Sequence, residues 1–79
     1  MGSHATRAQT TLIRGKVTDA NSGDVLPGAS AQLKGSTRGD ASDLRGEFVI
    51  DLVPVGRQTL VVSYLGYLTR EVTVEVRPG

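Results

Sequence analysis

The sequence predicts an all-β fold, an antiparallel sandwich of about six to seven strands. Wherever the chain shows a period, apolar and polar residues alternate, which is the pattern of strands with one buried face. Turn-forming residues recur every 8 to 12 residues or so, the spacing typical of sandwiches. No segment keeps a helical period, so the pattern disfavours a fold that contains helices.

The first two strands are predicted on either side of a polar loop. We expect order to begin near Leu12, with residues 12–17 forming a strand whose inward face carries Ile13, Gly15 and Val17. Residues 18–24 are almost all turn formers and predict a surface loop. After Pro27 and Gly28, a second strand is expected to bury its small residues, which are Ala29, Ala31 and Leu33.

The middle of the chain predicts a core strand after a polar segment. Residues 36–45 are polar and could contain a short edge strand. In the next strand alternation predicts that Phe48, Ile50 and Leu52 face inward, with Phe48 as the core anchor. Residues 53–56 read Val-Pro-Val-Gly and predict a turn, because proline cannot donate a hydrogen bond within a central ladder.

Two long strands are expected to close the chain. Residues 60–67 read Leu-Val-Val-Ser-Tyr-Leu-Gly-Tyr, so this strand is apolar on both faces and is predicted to be central, with a tight bend at Gly66. In the last strand the inward residues are expected to be Leu68, Val72, Val74 and Val76, and Arg70 is placed where its head reaches water.

Size, charge and composition limit the domain count and the classes of partner. We divide the 79 residues into an expression-tag remnant at 1–4, a flexible segment at 5–11 and one domain at 12–79. The net charge of +1 has no basic cluster, which predicts no nucleic-acid partner. Apolar runs are too short for a membrane helix, so we expect no direct membrane insertion of this domain.

The sequence predicts no enzyme. There is no cysteine, and the single histidine, His4, lies in the tag remnant, where metal binding is a remote second reading. No base partner is visible for any serine, namely Ser3, Ser22, Ser30, Ser36, Ser42 and Ser63. We therefore predict no catalytic, cofactor-binding or metal site, and no cofactor.

Two features of the polar segment have both a functional and a structural reading. Asp40, Asp43 and Glu47 could suggest a calcium site, but their spacing does not match the EF-hand series, and a structural role in turns is favoured. Arg38, Gly39 and Asp40 spell a tripeptide that some adhesion receptors bind. A polar turn is the favoured reading, because matches of three residues arise often by chance.

Four further residues also have both a functional and a structural interpretation. Asp19 is expected to cap the loop after the first strand, and Gly15 to permit close backbone packing rather than the approach of a ligand. Tyr64 and Tyr67 could form an aromatic patch for a sugar or a protein. We favour Tyr64 facing the core with its hydroxyl near the rim, and Tyr67 flanking the bend.

Several motifs occur in an order that resembles one family. They are G-K-V-T-D at 15–19, L-P-G-A at 26–29, D-x-x-G-E-F at 43–48, and V-V-S-Y-L-G-Y at 61–67 followed by an alternating strand. Over residues 12–76 the chain resembles the carboxypeptidase-regulatory-like domain. The resemblance implies an Ig-like, transthyretin-like sandwich of seven strands.

The chain departs from that family in two places. Leu44 and Arg45 are local variants within the D-x-x-G turn. Members of the family normally continue into one more strand, whereas this chain stops at residues 77–79, so we expect the last strand to be lacking and a neighbouring edge to be unpaired. Self-association through that open sheet edge is a hypothesis that follows.

The resemblance also implies a function. The S-Y-L-G-Y wording is most similar to domains at the N-terminus of TonB-dependent outer-membrane receptors. It implies a non-catalytic accessory domain on the periplasmic side of the bacterial outer membrane, acting in nutrient uptake as a protein-interaction or spacer module. The expected partner is the rest of the receptor or a periplasmic protein. Two alternatives stay open: a folding or stability module of a secreted metallocarboxypeptidase, and a carbohydrate-binding or adhesion module of a surface protein.

Overall fold

Six antiparallel strands make up the fold in a computed structural model, which describes residues 10–78. They confirm the all-β prediction. Among these residues no helix is long and apolar enough to cross a membrane. The strands are β1 Thr10–Lys16, β2 Ser30–Leu33, β3 Gly39–Ala41, β4 Glu47–Pro54, β5 Gly56–Ser63 and β6 Arg70–Val76.

The strands form two sheets. One contains β1 and β4, and the other has the order β3-β2-β5-β6, so that β5 is a central strand as its apolar faces predict. Every pairing is antiparallel. The short β3 lies at the edge of the larger sheet and next to β4, whose Val49 N–H donates a 2.9 Å hydrogen bond to Oδ2 of Asp40. The two sheets are therefore joined along the β3 and β4 side.

The core lies between the sheets and follows the predicted alternation in β2 and in the first half of β4. Ala29, Ala31 and Leu33 are buried, as are Phe48 and Ile50. Ile13 and Val17 of the β1 side pack against this core and are half-buried. The buried cluster is completed by residues of β4, β5 and β6, which are Val53, Leu60 and Val76.

The prediction for Leu52 is wrong, because β4 contains a bulge. Thr11 lies opposite Val53 but Ile13 lies opposite Ile50, so one residue of β1 faces two residues of β4. Leu52 takes up the extra length with a left-handed φ of 53°. Its side chain is 52% exposed, and Val53 enters the core in its place.

The other departures lie at strand ends. β1 begins at Thr10, two residues before the expected start, and residues 1–9 with His4 lie outside the described part of the chain. β4 extends through Pro54, so the predicted turn at 53–56 shrinks to Val55. Residues 64–69 connect β5 to β6. Leu68 belongs to this connection and is 91% exposed, so the prediction that it faces inward is wrong.

Candidate functional site

An apolar groove of about 670 Å³ lies between β1 and the β5–β6 side of the larger sheet. Residues from both sheets line it. Ile13 and Val17 come from the β1 side, Phe48 and Leu60 from the core strands, and Val62, Tyr64, Val72 and Val74 from β5 and the chain that follows it. A groove of this size and lining could take a small ligand or part of another polypeptide.

The groove is open because the sandwich is joined on one side only. Among the described strands, β1 pairs only with β4, and β6 pairs only with β5. Val72 belongs to the face of β6 that carries the buried Val76, yet it is 44% exposed. Its exposure places an apolar side chain in water at the groove wall, where a partner could cover it.

The backbone hydrogen bonds of β1 show which of its residues direct their N–H and C=O groups toward the unpaired edge of the strand. Val17 N–H donates to Gly46 O at 2.8 Å, so the odd-numbered residues of β1 direct their backbone groups toward β4. Because N–H and C=O alternate in direction along a strand, the even-numbered residues direct theirs toward the free edge. The even-numbered residues are also the exposed ones, and they are Thr10, Leu12, Arg14 and Lys16.

The same reasoning applies to β6. Lys34 N–H donates to Thr59 O at 2.9 Å, which directs the odd-numbered residues of β5 toward β2 and the even-numbered ones toward β6. Leu60 is paired with Val72, so the even-numbered residues of β6 bond to β5. Glu71, Thr73 and Glu75 therefore direct their backbone groups toward the free edge, with their side chains in solvent.

One end of the groove is closed by a hydrogen bond between two loops. The Tyr67 hydroxyl donates to Oδ2 of Asp19 at 2.5 Å. Oδ1 of Asp19 accepts the N–H groups of Asn21 and Ser22 at 2.8 and 3.0 Å, which is the predicted cap of this loop. The bond from Tyr67 and then those backbone donors lower the pKa of Asp19, and the same bond raises the pKa of Tyr67.

The β5–β6 connection places aromatic and apolar side chains at the mouth of the groove. The Tyr64 and Tyr67 ring centroids are 5.5 Å apart and tilted by 58°. Tyr64 lines the groove and is half-buried, whereas Tyr67 reaches across the bend to Asp19. Leu65 and Leu68 are 95% and 91% exposed. The sequence could not show the long-range bond from Tyr67.

Gly15 permits close packing, but its neighbour is the ring of Phe48 and not backbone as predicted. A Cβ built on Gly15 would lie 2.5 Å from Cε2 of the Phe48 ring and closer still to Cζ. The ring of the core anchor thus occupies the space that any side chain at position 15 would need, on the floor of the groove.

Two acidic side chains of the polar segment, Asp40 and Asp43, accept hydrogen bonds from backbone N–H groups. Oδ1 of Asp43 accepts the N–H groups of Arg45 at 2.8 Å and Glu47 at 2.9 Å, and the pKa of Asp43 is lowered first by the Glu47 donor and then by that of Arg45. Oδ2 of Asp40 accepts from Val49. Within residues 10–78 no group of three or more acidic or histidine side chains could hold a metal ion.

The Arg38-Gly39-Asp40 tripeptide enters an edge strand and is not a free turn. Gly39 and Asp40 belong to β3, and Nη1 of Arg38 lies 3.2 Å from Oδ1 of Asp51. With Asp40 bonded to Val49, both charged members of the tripeptide have partners within the domain.

Ser42 has a structural role that the sequence did not reveal. It is buried, and its Oγ accepts the N–H of Ala29 at 2.8 Å and donates to the carbonyl of Leu26 at 2.6 Å. This serine ties the turn before β2 to the end of β3. Nothing in its local sequence distinguishes it from the exposed serines, because both of its partners are more than ten residues away.

Comparison with known proteins identifies the family. The sequence profile of the CarboxypepD_reg-like domain matches residues 13–79, which includes every motif that the resemblance used. The chain belongs to this family. The resemblance to the carboxypeptidase-regulatory-like domain is thereby confirmed, and no solved structure gives a significant match.

Curated relatives of this CarboxypepD_reg-like domain are receptors of Formosa agariphila. TonB-dependent receptor P26 is 46% identical over 52 residues, which are 66% of this chain and 5% of that receptor. TonB-dependent receptor P3 is 37% identical over 68 residues, covering 86% of this chain and 7% of the receptor. The chain therefore spans only a small part of the length of these relatives. The comparison supports an accessory domain of such receptors.

Proposed function

We propose that this CarboxypepD_reg-like domain is a non-catalytic module on the periplasmic side of a TonB-dependent receptor, and that it binds a polypeptide along its open side. The observation that supports binding is the pair of free strand edges, β1 and β6, which flank one apolar groove. An extended segment could hydrogen-bond to either edge and place alternate side chains in the groove. The relatives supply the receptor context.

The chemistry of the described side chains supports a non-catalytic role. Catalysis by a serine needs a base within hydrogen-bond reach, whereas the buried Ser42 is engaged with two backbone groups. The carboxylates of Asp19 and Asp43 have lowered pKa values because they accept hydrogen bonds, which makes them weaker bases rather than stronger ones.

A sugar is the second candidate ligand, because Tyr64 and Tyr67 stand at the groove mouth. Aromatic rings bind sugars through their faces, but the Tyr67 hydroxyl is already bonded to Asp19. Calorimetric titration of the domain with oligosaccharides separates the two readings. Saturable heat that Tyr64→Ala abolishes would favour the sugar and count against the polypeptide.

The test of the proposed function uses two valines of nearly equal exposure in the full-length receptor. Val72 lines the groove and is 44% exposed, and Val49 of β4 is 42% exposed and does not line it. We expect Val72→Lys to weaken crosslinking to periplasmic partners or to the rest of the receptor, and Val49→Lys to leave it unchanged. A lysine in the groove would have to be desolvated when a partner covers it.

Deletion of residues 12–76 shows the largest loss of crosslinks that any single substitution in the domain could cause. The proposal predicts that Val72→Lys loses the same crosslinked proteins as the deletion, and that uptake weakens while the receptor still assembles in the outer membrane. An unchanged set of crosslinks and normal uptake in the deletion strain would reduce the domain to a spacer. Equal losses with Val72→Lys and Val49→Lys would place the contact elsewhere on the domain.

A further inference from the structure

We propose that the end of the sandwich that carries Leu44, Leu65 and Leu68 contacts a phospholipid surface. The inference goes beyond the proposed function, because it concerns the turns at one end of the domain and not the groove. It follows from the exposure of these three side chains, which we call the leucine tips, from the tight turns that hold two of them outward, and from the charges beside them.

The leucine tips are the most exposed large apolar side chains in residues 10–78. Leu44 is 86% exposed, and Leu65 and Leu68 are 95% and 91% exposed. Every other large apolar side chain in this part of the chain is at most 52% exposed. One exposed leucine is ordinary on a folded surface, but three almost fully exposed leucines at one end indicate a contact site.

All three leucine tips lie at the same end of the sandwich. Ser30, the first residue of β2, is paired with both Ala41 and Ser63, which are the last residues of β3 and β5. The connections that follow β3 and β5 therefore leave the larger sheet at one end, with β2 between them. Two strand spacings, about 10 Å, separate these connections, so that one flat surface can touch both.

Tight turns hold two of the leucines outward. Hydrogen bonds of 2.9 Å close the turns 43–46 and 64–67, each from the N–H of the last residue to the carbonyl of the first. Leu44 and Leu65 occupy the second position of these turns, a position that accepts most residue types and does not require leucine. Their exposure follows from the turns themselves, and neither side chain stabilises the fold by burial.

A lipid surface fits separate apolar tips better than a protein partner does. Three leucine side chains provide far less than the roughly 800 Å² that each partner of a stable protein complex buries. The headgroup region of a bilayer takes up apolar side chains to a depth of about 5–10 Å and needs no matching shape. Tyr67 lies in the same connection and is half exposed, and its apolar ring with a polar tip is typical of this region.

The charges beside the leucine tips favour phosphate groups. Arg45 follows Leu44 in its turn, and Arg70 begins β6 two residues after Leu68. Neither arginine is in an ion pair within the described part of the chain. Asp43 of the same turn as Arg45 directs its Oδ1 to two backbone N–H groups instead. Both guanidinium groups are thus available to lipid phosphates.

Contact through turn corners differs from insertion of a membrane helix. The expectation of no direct membrane insertion rests on apolar runs that are too short for such a helix, and turn corners need no such run. We expect the partition coefficient to be lower than that of a single myristoyl chain, which is about 10⁴ M⁻¹. A contact this weak is effective when a receptor holds the domain beside its membrane, because tethering raises the local concentration.

Flotation of the 79-residue chain with vesicles tests the contact. The vesicles contain phosphatidylcholine, either alone or with an equal part of phosphatidylglycerol. We expect the wild type to bind both. Leu44→Ser and Leu65→Ser should each lower the partition coefficient roughly tenfold, because each removes one apolar side chain from the contact. Leu52→Ser removes a half-exposed leucine of β4 that lies outside these turns, and it should bind as the wild type does.

The charge of the vesicles separates the apolar contribution from the electrostatic one. Asp19 and Asp24 on the neighbouring loop offset the two arginines, so we expect lipid charge to have a smaller effect than the leucines. Arg45→Gln should reduce the added affinity for phosphatidylglycerol and leave binding to pure phosphatidylcholine unchanged. Circular dichroism of all these variants should match the wild type, because each substituted side chain is exposed.

Lipids that carry a nitroxide on the headgroup locate the contact by NMR. We expect them to broaden the amide resonances of Leu44 and Leu65 and to leave that of Val53, near the other end of β4, unchanged. A wild-type chain that does not float at millimolar lipid would overturn this inference. Leucine variants that bind as tightly as the wild type would overturn it as well.

The receptor crosslinks distinguish a lipid from a protein at the leucine tips. If the wild type binds no vesicles but the double variant Leu44→Ser/Leu65→Ser loses receptor crosslinks, the tips contact a protein and the lipid inference is wrong. Val72→Lys changes the groove and should float with vesicles as the wild type does. The lipid contact and the polypeptide binding of the groove can therefore fail separately.

Discussion

Replacing Gly15 with alanine tests how the floor of the groove is packed. The added Cβ would meet the Phe48 ring at 2.5 Å or less, and Phe48 is buried and cannot move aside freely. Overpacking of this kind costs about 1–3 kcal/mol. Stability of about 0.05–0.15 kcal/mol per residue gives roughly 4–12 kcal/mol for this chain, so the loss is a large fraction of the total.

The assay is thermal unfolding followed by circular dichroism. At about 4–8 °C per kcal/mol for a domain of this size, we expect Gly15→Ala to lower Tm by roughly 5–20 °C. The control is the same substitution in a Phe48→Leu background, because leucine lacks the Cζ and Cε atoms that the new Cβ would meet. There Gly15→Ala should be neutral or stabilising by up to about 1 kcal/mol, since alanine also restricts the unfolded chain. Equal losses in both backgrounds would refute the steric explanation.

Two further predictions concern hydrogen bonds that order the loops. Ser42→Ala leaves two buried backbone groups without their partner and should cost about 1–3 kcal/mol in urea unfolding, whereas Ser30→Ala on the exposed face should change stability by less than about 0.5 kcal/mol. Tyr67→Phe should return the pKa of Asp19 toward 3.8, which an NMR titration of the carboxyl carbon would measure. An unmoved Asp19 pKa would show that the hydroxyl is not its main partner.

The pKa shifts of Asp19 and Tyr67 determine how the stability of the fold depends on pH. The lowered pKa of Asp19 stabilises the fold above its unfolded value, and this contribution is lost as the pH falls through the folded pKa. The raised pKa of Tyr67 stabilises the fold below its unfolded value, and that contribution is lost as the pH rises through the folded pKa. Wild type and Tyr67→Phe should thus differ most at neutral pH and converge in acid.

The sequence predicted those features of the fold that depend on local alternation. Ala31, Leu33, Phe48 and Ile50 are buried as expected, because each lies on a regular strand whose pattern matches its buried face. Leu52 broke the pattern because a bulge depends on the register with β1, which the sequence of β4 alone does not contain.

The groove could be predicted only in part from the sequence, because it depends on which strands are neighbours. An unpaired edge was expected, and the open side of the described sandwich has two, on β1 and β6. Which edges are free depends on the order of strands in each sheet, and alternation within one strand does not encode its neighbours. The bond between Tyr67 and Asp19 joins residues 48 positions apart and left no local signal. Leu68 was assigned inward because its apolar character fits the alternation, although it lies in the connection before β6.

Hydrogen exchange at single residues, measured by NMR on the domain alone and on the domain with the rest of the receptor present, tests the open side most directly. In dilute solution the amides of Glu71 and Thr73 should exchange rapidly, while those of Val72 and Val74, which bond to β5, stay protected. With the rest of the receptor present, the amides of at least one edge should gain protection, namely those of Glu71 and Thr73 on β6 or that of Lys16 on β1. Edge amides that exchange rapidly both in the isolated domain and in the presence of the receptor would contradict strand pairing at this side.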